Sequence, residues 1–107
     1  MKIVLDECVD IKLKRYLVGH DVSTVRELQW RGLKNGKLLT ACVNGEFDVL
    51  LTVDKQMRFQ QNMEKYNVAL IVIDAYSIEL PSLTTFISKI EEAIMYLEKG
   101  KVYVLRH

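Results

Sequence analysis

The sequence has only two cysteines, Cys8 and Cys42, and two histidines, His20 and His107, all far apart. That spacing excludes a disulfide framework and a paired-cysteine metal or redox motif. Both thiols are expected to be reduced, which fits a cytoplasmic location. A single proline, Pro81, and five glycines leave no low-complexity linker, and there is no internal repeat. The longest apolar run in the middle of the chain, 68–73, is far short of the ~20 residues that a membrane span needs. Met1-Lys2 leads directly into a strand-like run and then acids, so no signal peptide is expected. What remains is 107 residues, 50% hydrophobic and 27% charged, the mix of one globular domain spanning 1–107. A domain of this size buries roughly 65% of the surface its unfolded chain exposes, so it can fold without staples.

The net charge of +1 is an average over two unlike parts. Between Ile11 and Lys37 stand seven basic residues, Lys12, Lys14, Arg15, Arg26, Arg31, Lys34 and Lys37, against Asp21 and Glu27. That segment carries +5 and the rest of the chain −4. Such polarity can attract a polyanion to one side, although it is also the pattern of two solvated helix faces.

Strand and helix signals alternate along the whole chain. Ile3-Val4-Leu5 reads as a buried strand ended by Asp6-Glu7. Val9, Leu13, Tyr16 and Leu17 follow helical spacing up to Gly19, and Asp21 to Val25 is rich in β-branched residues. A basic, glycine-containing loop over 29–36 precedes a short helix begun near Asn35 and stopped at Asn44-Gly45. Asp48 to Val53 and Val68 to Ile73 are continuous apolar strands, the kind a parallel sheet covered on both faces requires. The polar stretch between them predicts a loop and a loose helix. Pro81-Ser82 opens the longest predicted helix, with Leu83, Phe86, Ile87, Ile90, Ala93, Ile94 and Leu97 on one stripe, closed by Gly100. Lys101 to Leu105 completes the set as a strand. The expected fold is a three-layer α/β/α sandwich with a mainly parallel sheet and right-handed crossovers.

In a parallel sheet all the carboxyl ends lie on one edge, where ligands bind. Three predicted strands end in acids, at Asp6-Glu7, Asp54 and Asp74, and Glu27 follows the second strand closely. Two like charges ~4 Å apart repel by about 4 kcal/mol at an effective dielectric near 20, so converging carboxylates call for a proton, a basic side chain or a divalent cation. Oxygen-only ligands favour Mg²⁺ or Mn²⁺ over zinc. A carboxylate-held cation beside a basic surface supplies what phosphodiester hydrolysis needs. Asp at a strand end is also a common helix cap, the plainer reading for Asp74.

At this point the residues resemble a family. Met1 to Cys8 (MKIVLDEC), Gly19 to Val25 (GHDVSTV), Glu27 to Leu39 (ELQWRGLKNGKLL) and Phe47 to Asp54 (FDVLLTVD), followed by Gln60-Gln61-Asn62, are similar to the small PIN-like branch of the PIN nuclease superfamily. The similarity covers most of residues 1–75, and the last third only in its helix–strand pattern. It implies a PIN-like α/β sandwich, an Mg²⁺- or Mn²⁺-dependent ribonuclease acting on RNA, and a role as the toxin partnered by an antitoxin protein; a homodimer also fits it. Asp6 and Asp54 match the family's metal-binding aspartates, and Glu7 the acid beside the first, which makes Asp6, Glu7 and Asp54 the catalytic candidates. Trp30, Lys34, Asn35, Lys55 and Arg58 are the expected RNA contacts. The chain departs from the family at Asn35, Lys37 and Gln56, where many relatives carry acids.

Each candidate has a plainer alternative. Trp30 lies among Arg26, Arg31 and Lys34, where it can stack on a base beside phosphate-binding cations or lie as a lid over the core edge. Lys55 and Arg58 can hold a phosphate or neutralise the carboxylates. Gln60-Gln61-Asn62 can read bases or simply be solvated. Cys8 lacks a histidine to activate it, and nearby carboxylates should raise its pKa, so it reads as a packed residue. His20 reads as a capping histidine. Two rival functions remain: a non-catalytic PIN-like module that binds RNA or an antitoxin, and a receiver-like phosphoacceptor domain. A receiver would want Ser or Thr after strand four and Lys after strand five, where this chain has Asp74 and Arg106-His107.

Overall fold

Uninterrupted apolar runs cannot face water on either side, and the two longest here become neighbours inside one sheet. The computed structural model describes residues 1–60 and 62–107. Five strands, β1 (Lys2–Leu5), β2 (Asp21–Thr24), β3 (Val49–Thr52), β4 (Ala69–Asp74) and β5 (Val102–Arg106), form a sheet in the order β2-β1-β3-β4-β5. Every pairing is parallel. The sheet is thus wholly parallel, beyond the mainly parallel sheet expected. Val4 aligns with both Ser23 and Leu50, and Leu50 with Leu70, so the apolar middles of the strands stack in register. All four residues of central β3 are buried.

Alternate residues of each strand feed two cores. On the first face, Ile3, Leu5, Leu51, Ile71 and Ile73 pack under a 3₁₀ helix (Ile11–Tyr16), α3 (Leu80–Thr84) and α4 (Ile87–Met95). On the second, Val4, Leu50, Leu70 and Val72 pack under α1 (Asn35–Asn44), α2 (Met57–Gln60) and a second 3₁₀ helix (Met63–Lys65). This is the three-layer α/β/α sandwich that the alternation predicts.

Two expected helices take different forms. The helix expected after Val9 is a 3₁₀ turn begun by Asp10, whose carboxylate accepts from Lys12 N at 2.9 Å. Only Leu13 within it is buried, with Val9 and Leu17 packing from its two ends. The long helix expected from Pro81 is broken into α3 and α4 at Thr85-Phe86. Thr84 and Thr85 turn their hydroxyls back onto the carbonyls of Pro81 and Ser82, offering the backbone a local alternative to the helical ladder. The break lets Phe86 sink fully into the core.

The crossovers also depart from expectation. The β1→β2 and β4→β5 connections both run over the first face but step in opposite directions along the sheet, so their hands are opposite. The other two connections step with β4→β5 but run over the second face, so they share the hand of β1→β2. Nearly all such units are right-handed, and one of the four here breaks uniformity. The second face above β4 is already filled by Met57 and Met63, whereas the first face has only a six-residue 3₁₀ helix for cover. The α3–α4 pair goes where apolar strand surface is still bare.

Candidate functional site at the carboxyl edge of the sheet

Chain direction brings the ends of β1 and β3 together. After β1 the chain leaves over one face, and after β3 over the other, which opens the crevice where parallel sheets bind ligands. Asp6 extends the pairing by one step, its N–H donating to Leu51 O at 2.9 Å. Its carboxylate is held on both sides: Oδ1 accepts from Glu7 N at 2.7 Å, and Oδ2 accepts from Thr52 Oγ1 at 2.7 Å.

Thr52 is the one hydroxyl residue in an otherwise apolar run, and it is fully buried. A buried hydroxyl must be hydrogen-bonded, and this one serves both strand ends. While donating to Asp6 it accepts from Asp54 N at 3.0 Å. Asp54 Oδ1 in turn accepts from Gln56 N at 3.0 Å, a turn that leads into α2. Asp6, through its carboxylate, and Asp54, through its backbone N–H, are therefore tied to one hydroxyl.

Cys8 completes this cluster, its Sγ lying 3.6 Å from Asp6 Oδ2 and 3.5 Å from Thr52 Oγ1. Burial of the thiol group is the main cause that raises its pKa, with the Asp6 charge adding to it. A raised pKa makes the thiol a poor nucleophile.

Glu7 points another way. Its Oε1 accepts from Gly32 N at 3.2 Å, tethering the turn after β2. Asp6 and Glu7 line a cleft of about 300 Å³ together with Ile11, Thr24, Val25, Arg26 and Arg31.

The remaining acids are engaged elsewhere. Glu27 makes a reciprocal pair with Thr24, accepting from Thr24 N while Glu27 N donates to Thr24 Oγ1, both at 3.0 Å. Its other partner is Lys14 Nζ at 3.0 Å, and the Lys14 hydrogen bond is the main reason its pKa is lowered. Asp74 ends β4 between Lys55 Nζ at 3.1 Å and Arg106 Nε at 3.3 Å, with Lys55 the larger cause of its lowered pKa. Both carboxylates are thus engaged with basic side chains of their own. Among the described residues no group of three or more His, Cys, Asp or Glu could hold a metal ion together.

The expected RNA contacts are scattered. Lys55 is paired with Asp74, and the Arg58 guanidinium lies 4.3 Å from the centre of the Phe59 ring. Trp30 is half-buried, edge-on to Phe47 at 5.7 Å, and belongs to the second core. Lys34 and Asn35 stand at the N-terminus of α1, where the Lys34 side chain makes no cap. Gln61 lies outside the described residues, and Asn62 Oδ1 accepts from Glu64 N at 3.3 Å. His20 does not cap with its ring; Nε2 meets Glu91 Oε1 at 2.7 Å and ties the turn before β2 to α4.

The sequence places Arg26 and Arg31 beside Trp30 as candidate phosphate-binding cations, and both line the cleft; the bridging role of Thr52 between the two strand ends is what the sequence reading misses. A lone threonine in an apolar strand is a visible signal. Which of the cations around Trp30 line the cleft depends on how the turn after β2 folds, and Lys34 is not among them. Among the described residues no helix is long and apolar enough to cross a membrane. No family model, curated protein or solved structure matches the chain.

Proposed function

We propose that the chain is a metal-dependent ribonuclease of the PIN-like kind, hydrolysing RNA phosphodiester bonds at the edge formed by Asp6 and Asp54. The observation that carries this reading is the single buried hydroxyl of Thr52, which holds both strand ends at the crevice between β1 and β3. The donor set fits a hard cation: magnesium accepts one or two carboxylates and completes its shell with water and substrate phosphate. It does not fit zinc, which takes nitrogen and sulfur ligands in sets of three or four, because among the described residues no such group stands at this edge. When bound, Mg²⁺ or Mn²⁺ supplies an activated water and charge stabilisation for the leaving oxygen.

The chain's own residues prepare that site. Thr52 fixes the rotamer of Asp6, and the Gln56 N–H fixes Asp54 Oδ1, so less ordering is needed when a cation and a phosphate arrive. Glu7 holds the 31–33 turn against the edge through Gly32. With two carboxylates where a fuller set would hold a second ion, activity should be low and should favour Mn²⁺.

One observation favours a second reading, a non-catalytic module that binds RNA or an antitoxin protein. Both oxygens of Asp6 already accept internal hydrogen bonds, and no third ligand stands with the pair among the described residues. Calorimetric titration of Mn²⁺ and Mg²⁺ into the protein and into an Asp6→Asn/Asp54→Asn variant separates the two. Heat of binding that disappears in the variant supports the nuclease. Binding that survives there places the ion elsewhere and overturns the proposed metal site. No binding by either protein, even with RNA present, leaves the module as the reading to pursue.

A further inference from the structure

We propose that Arg26 and Arg31 grip the backbone phosphates of single-stranded RNA in the cleft they share with Asp6 and Glu7. The inference rests on the ribonuclease reading and names the part of the site that holds substrate without metal. Both are exposed residues that line that cleft, beside Asp6 and Glu7 at the end of β1. Yet neither makes an ion pair or hydrogen bond among the described residues, whereas Lys14, Lys55, Lys99, Lys101 and Arg106 are all paired with acids. Two exposed arginines left open next to two carboxylates are not there to neutralise them.

The segment carrying them is stiff. Leu28 N donates to Thr24 O at 3.1 Å and Trp30 N to Val25 O at 2.9 Å, closing the turn after β2 around Arg26. Trp30 is pinned edge-on against Phe47, and Gly32 N is tethered to Glu7. Arg31 sits between those two anchors. The backbone under both arginines is therefore fixed, and a guanidinium fork matches the paired oxygens of a phosphate. Ile11, half-exposed on the same wall, gives an apolar surface for a sugar face. An RNA strand lying in this cleft would have one phosphate near Asp6 and its neighbours on the arginines. Of the other cations expected at this edge, Lys55 is paired with Asp74, and neither it nor Lys34 nor Arg58 lines this cleft.

The test is fluorescence anisotropy of a short labelled oligouridine in EDTA, so that no metal contributes and nothing is cleaved. Binding is followed across a salt series for the wild type, Arg26→Ala/Arg31→Ala, and a charge-matched control, Lys99→Ala/Lys101→Ala, at the far end of the sheet. The arginine variant should bind about tenfold more weakly, and its salt slope should fall by about 1.4, the share of two phosphate contacts on a single strand. The control should match the wild type. Arg26→Lys/Arg31→Lys, which keeps the charge, should restore most of the slope while losing part of the affinity. Equal losses in the arginine and control variants would reduce the effect to net charge and overturn the proposal, as would unchanged binding by the alanine variant or no binding by the wild type. Failure of the nuclease reading would show separately, as Mn²⁺ binding or cleavage that ignores Asp6 and Asp54.

Discussion

Replacing Thr52 by Val keeps the shape of a fully buried side chain and deletes one hydroxyl. In the wild type that hydroxyl donates to Asp6 Oδ2 at 2.7 Å and accepts from Asp54 N at 3.0 Å. A hydrogen bond to a charged acceptor contributes about 1.5–3 kcal/mol, and a backbone N–H left without a partner costs about 1–3 kcal/mol. Asp6 and Asp54 are both half-buried, so water recovers part of each loss, and valine gains slightly from its methyl. The expected net destabilisation is about 2 kcal/mol. At this chain length that is a fall in Tm of about 8 °C. Urea unfolding followed by circular dichroism should show a lower midpoint with an unchanged slope. Thr52→Ser keeps the hydroxyl and loses one methyl, so it should cost only about 1 kcal/mol. Asp6→Asn combined with Thr52→Val should be less damaging than the sum of the two, since each breaks the same bond. A Thr52→Val protein as stable as the wild type, or a serine variant no better than valine, would refute the claim that this hydroxyl ties the two strand ends.

Three further outcomes follow from local geometry. A Cβ at Gly45 would stand 2.7 Å from Cε2 of the buried Phe47 ring, so Gly45→Ala should lower stability by about 1–3 kcal/mol, measured by urea midpoint; a neutral variant would mean the ring moves freely. Burial pushes the Cys42 thiol up to about 12, so a disulfide reagent at mildly alkaline pH should modify only the exposed Cys8, and that slowly because its own pKa is raised, until the protein unfolds; rapid modification of both would contradict the packing of α1. Glu27 and Asp74 have pKa values lowered below the ordinary 4.5 and 3.8, chiefly by Lys14 and Lys55. Their stabilisation is complete above those ordinary values and is lost as pH falls through the lowered ones. The stability gap between wild type and Glu27→Gln should therefore close in acid, and a gap that widened would reverse the sign.

Most of the layer order could be read from apolar continuity. Asp48 to Val53 and Val68 to Ile73 have no polar side to show water, which places them at the centre of a parallel sheet. The acids that stop them then fall on one edge. Periodicity was less informative where side-chain hydroxyls compete with the backbone. The stripe from Leu83 to Leu97 is continuous, but Thr84 and Thr85 break the helix beneath it. The hand of the β4→β5 connection depends on which sheet face is still bare, a tertiary matter no local window contains. At the site, the acids were visible as strand ends, while their grouping was not. Glu27 and Asp74 are withdrawn by Lys14, Lys55 and Arg106, partners distant in sequence or set by strand register. Arg26 and Arg31 reach the cleft only because Trp30 and Glu7 pin the turn between them.

The central claim is that the Asp6–Asp54 pair makes this edge a metal-dependent RNA-cleaving site. Asp54→Asn tests it with the least disturbance, because an amide oxygen can still accept from Gln56 N and the Thr52 bond to the backbone of residue 54 is untouched. The measurement is cleavage of a labelled single-stranded RNA with Mn²⁺, for the wild type and for Asp54→Asn of equal thermal stability. The wild type should cut slowly, EDTA should stop it, and the variant should be at least about a hundredfold slower, as loss of a charge-stabilising group at a reaction centre requires. Cleavage by the variant at the wild-type rate, or cleavage by the wild type that EDTA does not affect, would contradict the account.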